Sequence, residues 1–276
     1  MTEGALPNLF VIGAMKCGTT SLNDYLALHP QIHMAAVKEI NWFSGEEAHQ
    51  PVEWYRAQFD PAFPVRGEAS QNYSKAHHPF YKGAPERMAA LVPDAKLVYI
   101  VRDPIERYRS HFVENNLEEP GEDMAWNLAN DHHFLTGRYA WQLRFFLEHY
   151  PIEQILVVDS DDLRRDRLAT MNRIFDFLGL DRVDDPALFD FESNTIDSNM
   201  APLHWRQSLA YRIAYKLAPF DFHRFMANAL FRKYLYPEHK KPDLTPGEVA
   251  QLRERYAPDV AELRALTGQA FAKWQV

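Results

Sequence analysis

Two short, almost wholly apolar runs constrain this 276-residue chain more than any other feature. Residues 9–12 and 97–101 are rich in valine and isoleucine and show no polar alternation. Runs of this length and type read as strands covered on both faces, which means a parallel sheet. Two further runs, 65–69 and 154–159, complete four candidate strands, the first and third extended to 8–13 and 96–101. Helical patterns lie between them: one after Thr19, one over about 80–91, one after Pro104. Another places Tyr139, Leu143, Phe146 and Tyr150 at helical spacing and stops before Pro151. Strands alternating with helices give an open sheet with right-handed crossovers. The expected fold is α/β, a P-loop-like three-layer arrangement with a central parallel sheet flanked by helices and a helical C-terminal third.

That last third carries its own punctuation. The helix over 169–180 should end at Gly179, a C-cap. Thr245, Pro246 and Glu248 form a helix start with a capping box. Pro258 should break that helix and begin another. The aromatic stretch 203–236 reads as helices, either a lid or subdomain or core packing. Weak boundaries at Pro151 and 186–202 leave one domain, 1–276, as the preferred reading.

Composition sets outer limits. The net charge of −8 argues against nucleic-acid binding, though not against a local anion pocket. No apolar stretch approaches the roughly 20 residues of a membrane helix, and the N-terminus carries no secretory pattern. One cysteine, Cys17, precludes an intrachain disulfide. A cytoplasmic location is the expectation. The histidine pairs at 77–78 and 132–133 lack a third ligand nearby and are expected at the surface or as caps, with no metal.

The first strand runs into IGAMKCGTTSL. Gly13 and Gly18 let the backbone turn tightly and approach a ligand. Thr19, Thr20 and Ser21 should open a helix whose unpaired N–H groups and dipole favour an anion, and Lys16 adds a positive charge. This is not the P-loop pattern, because Thr19 stands where its lysine should be. The strand at 96–101 ends in the same way, at Arg102. Asp103 reads as an N-cap and Pro104 as the first helical residue. Ligands of open parallel sheets bind beyond the carboxyl ends of the strands, so Lys16 and Arg102 should share one edge. Ser110 lies about 140° round from Ile105, off the core face and open to a ligand. Arg102 offers a fork suited to a phosphate.

Together these runs resemble the 3′-phosphoadenosine 5′-phosphosulfate (PAPS)-dependent sulfotransferases, and most closely the branch of the heparan sulfate sulfotransferases and their bacterial relatives. IGAMKCGTTSLNDYLALHP is similar to the 5′-phosphosulfate loop. KEINWFS is similar to the segment with the catalytic glutamate, and KLVYIVRDPIERYRSHF to the 3′-phosphate strand and helix. Residues 240–274 are similar to the closing basic loop, helix and final tryptophan. The resemblance implies that Lys16 stabilises the leaving phosphate oxygen. It implies that Lys16, Cys17, Gly18, Thr19, Thr20 and Ser21 form the donor cradle, and that Arg102 and Ser110 bind the 3′-phosphate. Lys240 or Lys241, with Arg206 as a further candidate, would add charge there. Glu39 would be the general base, with Glu68 and His111 as weaker candidates. No metal is implied.

Two positions depart from the family pattern. Asn41 stands where a histidine is frequent, and Glu68-Ala69-Ser70 replaces a Glu-Lys-Thr-Pro-like run. Both speak against a heparan-like acceptor. The expected reaction is sulfuryl transfer from PAPS to a hydroxyl of a small molecule, lipid or sugar. Two rivals are a nucleotide-dependent kinase with a variant phosphate loop, using carboxylates of 157–162 for Mg²⁺, and a non-catalytic nucleotide-binding module.

Overall fold

The structure, a computed structural model, describes residues 4–45, 47–118, 131–191 and 244–276. The stretch 203–236 and the candidates Arg206, Lys240 and Lys241 lie outside these residues. Five strands form one sheet in the order β2-β3-β1-β4-β5, every neighbouring pair parallel. They are β1 (Leu9–Gly13), β2 (Ile32–Met34), β3 (Val65–Ala69), β4 (Lys96–Val101) and β5 (Ile155–Asp159). The four expected strands are present. The addition is β2, three residues on the sheet edge, too short to show a pattern in sequence.

Burial explains the apolar runs. Residues 9–12 and 97–101 are completely buried, because the central strands are covered on both faces. The covering helices are α1 (Thr19–Leu26), α2 (Val52–Arg56), α3 (Ala84–Leu91), α4 (Pro104–Glu118), α5 (His132–Thr136), α6 (Tyr139–Leu147), α7 (Ser160–Arg165), α8 (Arg167–Leu178) and α9 (Pro246–Thr267). Tyr139, Leu143, Phe146 and Tyr150 are all buried, as their spacing requires. Helix α3 begins four residues later than its periodicity suggests, after Gly83 in the left-handed conformation. Helix α8 ends at left-handed Gly179, and the Thr245–Glu248 capping box forms.

Pro258 does not break the last helix. Helix α9 runs through it for 22 residues. The residue after it supplies the reason. Asp259 is buried, and its carboxylate accepts from Ala140 N at 3.1 Å and Trp141 N at 3.0 Å. Tyr256, Val260 and Leu263 pack beside it. Tertiary anchoring on both sides of the proline outweighs the lost backbone bond.

Candidate active site

Strand order puts the chemistry on one edge. The chain leaves β1 toward β2 and β3 on one side, then crosses to β4 and β5 on the other. Beyond the carboxyl ends of β1 and β4, where the direction reverses, an open α/β sheet has its crevice. The β1 loop is tied there by Ala14 N donating to Ile100 O at 2.7 Å. Gly13, at φ +144°, passes so close to the turn at Gln71–Ser74 that a Cβ would lie 2.1 Å from Ser74 Oγ. Lys16 is left-handed at φ 67°, a costly conformation for a residue with a side chain.

Helix α1 starts at Gly18, itself left-handed at φ 98°, with no side-chain cap and no acidic residue in its first turn. Helix α3 also begins at a left-handed glycine without a side-chain cap but carries an acidic residue in its first turn, and the remaining long helices have side-chain acceptors at their starts. Asp103 Oδ1 accepts from Ile105 N and Glu106 N at the start of α4, Asp259 serves α6, and Glu86 sits in the first turn of α3. The first N–H groups of a helix need an acceptor. At α1 the geometry leaves that role to an anion, which fits a phosphate group.

The individual loop residues divide. Gly18 is exposed, and Thr20 and Ser21 are half-buried. Thr19 is buried. Cys17 turns inward: its Sγ lies 3.5 Å from Tyr139 Oη and its N–H donates to Ala14 O. Burial pushes the thiol up to about 11. Its place is in the core, so the expectation of a ligand contact from Cys17 is not met by its thiol.

Across the switch point, Arg102 lies 3.7 Å from Glu106 Oε2, while Glu106 Oε1 accepts from Arg109 at 2.9 Å. Asp103 caps α4 and accepts from Gln275 N, so the C-terminal tail docks on this turn. Ser110 is buried rather than open, at 8% exposure. Helices α5 and α9 both pack against α4.

Glu39 reaches the same edge from the other direction. Its N–H donates to Ala69 O at 3.0 Å, at the end of β3. Glu39 and Asn41 both adopt left-handed backbone, at φ 58° and 52°. Asn41 is buried and braces the turn: its N–H donates to Ser70 Oγ and its Nδ2 to Glu39 O. The side chain at 41 therefore serves the backbone. The Glu39 carboxylate stays 28% exposed and accepts from Lys38 Nζ at 3.0 Å.

The two weaker base candidates are committed elsewhere. Glu68 is buried, with Tyr73 Oη at 2.7 Å and Tyr55 Oη at 2.9 Å donating to it. Burial pushes it up to about 7. His111 is buried beside Arg107, which is fully enclosed. The pair 132–133 corrects an expectation, whereas His77 and His78 are half-buried. His132 and His133 are buried, and His77 Nε2 lies 2.8 Å from His132 Nδ1. With His111 they form an internal cluster under α4, held by Gln142 and Arg107. Residues from three distant segments build it, so no local spacing announces it. At the end of β5, Asp159 caps α7 and accepts from Trp274 Nε1 at 3.1 Å. One of the carboxylates that a kinase reading would use for Mg²⁺ is therefore engaged structurally.

A model of the sulfotransferase domain matches residues 6–263. The chain belongs to the sulfotransferase family. Among curated relatives, the bifunctional heparan sulfate N-deacetylase/N-sulfotransferase 1 of Caenorhabditis briggsae is 30% identical over 74% of this chain and 26% of its own length. The mouse heparan sulfate glucosamine 3-O-sulfotransferase 3B1 is 28% identical over 64% of this chain and 47% of its own. The chain spans about a quarter of the length of the bifunctional relatives. A sulfotransferase from Alicyclobacillus acidocaldarius shares the fold over 99% of this chain and all of its own, with a TM-score of 0.66 at 23% identity. A mouse sulfotransferase, SULT7A1, solved with PAP, covers 96% of this chain and 89% of its own, at 0.52 and 16%.

Proposed function

We propose that the chain transfers a sulfuryl group from PAPS to a hydroxyl of a small-molecule, lipid or sugar acceptor, with Glu39 as general base. One observation carries this reading. The uncapped start of α1, Arg102 and the Glu39 carboxylate lie beyond the ends of adjacent strands β1, β4 and β3. PAPS supplies an activated sulfuryl group on a good leaving phosphate. Gly18, Thr20, Ser21 and the first-turn N–H groups hold the 5′-phosphate, and Arg102 meets the 3′-phosphate. Glu39 takes the acceptor's proton as the new O–S bond forms, an effect of about 10²–10⁴-fold. Lys16 offsets the charge left on the phosphate oxygen when the old O–S bond breaks and its electron pair departs. The heparan sulfate sulfotransferases among the relatives favour a sugar acceptor; Asn41, turned inward, leaves that face without the histidine of the glycan enzymes.

Calorimetric titration with 3′-phosphoadenosine 5′-phosphate (PAP), beside ATP with Mg²⁺, tests the donor. Tight PAP binding with weak ATP binding is expected; the reverse overturns the reading. Glu39→Gln should keep PAP binding and lose about 10²-fold or more in turnover. Unchanged turnover would move the base elsewhere.

A further inference from the structure

Lys38 precedes Glu39 and has no part in the chemistry above. Its Nζ donates to Thr20 Oγ1 at 2.6 Å and to Glu39 Oε1 at 3.0 Å. Thr20 sits in the first turn of α1, and Glu39 sits on the turn held to the end of β3. One ammonium therefore joins the phosphate cradle to the carboxylate. A surface ion pair alone would contribute little and would have no need of the threonine. The second bond sets this pair apart. A lysine carries three donors on a compact charge, so it can serve a hydroxyl and a carboxylate together. One end of the bridge is itself costly backbone: Glu39 is left-handed, a conformation that persists only where neighbours hold it.

We infer that Lys38 is a positioning residue for sulfuryl transfer, fixing the Glu39 carboxylate relative to Thr20 of the donor cradle. The inference rests on the function proposed above. In-line transfer requires the base, the acceptor oxygen and the leaving oxygen to keep one geometry. A misplacement of about 1 Å can cost about 10²-fold. Lys38 contributes by holding that geometry between two segments that the sheet brings close but does not itself connect.

The test uses the full chain with ³⁵S-labelled PAPS, a panel of sugar, phenol and aliphatic hydroxyl acceptors with water counted as one, and PAP calorimetry. Four variants are compared: Lys38→Met, Lys38→Arg, Glu39→Gln and the double Lys38→Met/Glu39→Gln. Lys38 is 27% exposed, so the single variants should fold, which a melting curve checks. Lys38→Met should lower kcat by about 10–100-fold while PAP affinity and donor KM move far less. Lys38→Arg should recover part of the loss. The double variant decides: once Glu39 is gone, removing Lys38 should cost little more, because coupled residues are non-additive. Equal losses in both backgrounds, or wild-type kcat in Lys38→Met, overturn the inference. So does a rise in donor KM that matches the fall in kcat, which would make Lys38 a donor ligand. If the wild type neither binds PAP nor releases labelled sulfate, the underlying reading fails, and the inference fails with it.

Discussion

Lys16 and Arg102 approach one crevice from neighbouring strands, and their losses should differ in kind. Lys16→Ala should reduce both donor affinity and turnover, the latter by about 10²–10³-fold, as removal of one charge-stabilising donor does. Wild-type turnover in that variant would end its assigned role. Arg102→Ala should weaken PAP by about 10–100-fold, the worth of a hydrogen-bonded charge pair. It should weaken an analogue lacking the 3′-phosphate much less. Equal losses for the two ligands, read by calorimetry, would show that Arg102 does not contact that phosphate. Much of this was legible residue by residue. The two glycines, the Asp103 cap and the Arg102 position follow from local rules, and the structure keeps them. Cys17, Ser110 and the histidines were not legible in the same way. What turns Cys17 and the histidines inward is a partner elsewhere in the chain: Tyr139 for Cys17, His77 and Arg107 for the cluster.

At the scale of elements, caps explain which helix ends are structural and which are open to ligands. Helix α6 has no local cap and borrows one from α9, through Asp259. Asp259→Ala should therefore destabilise the fold by about 1–2 kcal/mol, the range of a lost cap, with two buried N–H groups left bare. Urea unfolding checks this; a loss within about 0.5 kcal/mol, as for an ordinary surface change, would show that water replaces the carboxylate. The same residue accounts for the sequence's misreading of Pro258. Proline rules describe an isolated helix, whereas α9 is held on either side of its proline by α6 and the core. Strand β2 escaped for a related reason. Three residues, Ile32–Met34, gain strand geometry from β3 and carry too little pattern of their own. The four strands that were read correctly are those whose burial is written into consecutive residues.

Across the whole molecule, two sets of buried groups pull stability in opposite directions with pH. Burial raises Glu68 from 4.5 to about 7, and Asp159 and Asp259 from 3.8 to about 6. Groups raised in the fold hold protons that the unfolded chain has released, so their contribution is full at low pH and fades as pH rises through about 6–7. The histidines act the other way. Burial lowers His77 from 6.5 to about 3 and His133 to about 4, and it lowers His111 and His132 as well. Lys75 and Arg107 add repulsion to the protonated forms. Their contribution is present above 6.5 and is lost as pH falls, because the unfolded chain takes up protons that the fold refuses. Between pH 6.5 and 4 the four histidines outnumber the three acids, so melting temperature should fall on acidification below about 6.5 and stay nearly level above 7.5. His77→Gln keeps hydrogen-bonding groups near Gln142 and His132 but cannot titrate. It should flatten the acid limb by about one proton, or about 1.4 kcal/mol per pH unit. Melting curves at pH 7.5, 6.5, 5.5 and 4.5 for both proteins measure this. A wild type that gains stability on acidification would mean the three acids outweigh the cluster, and parallel limbs would mean His77 is charged or open to water in the fold.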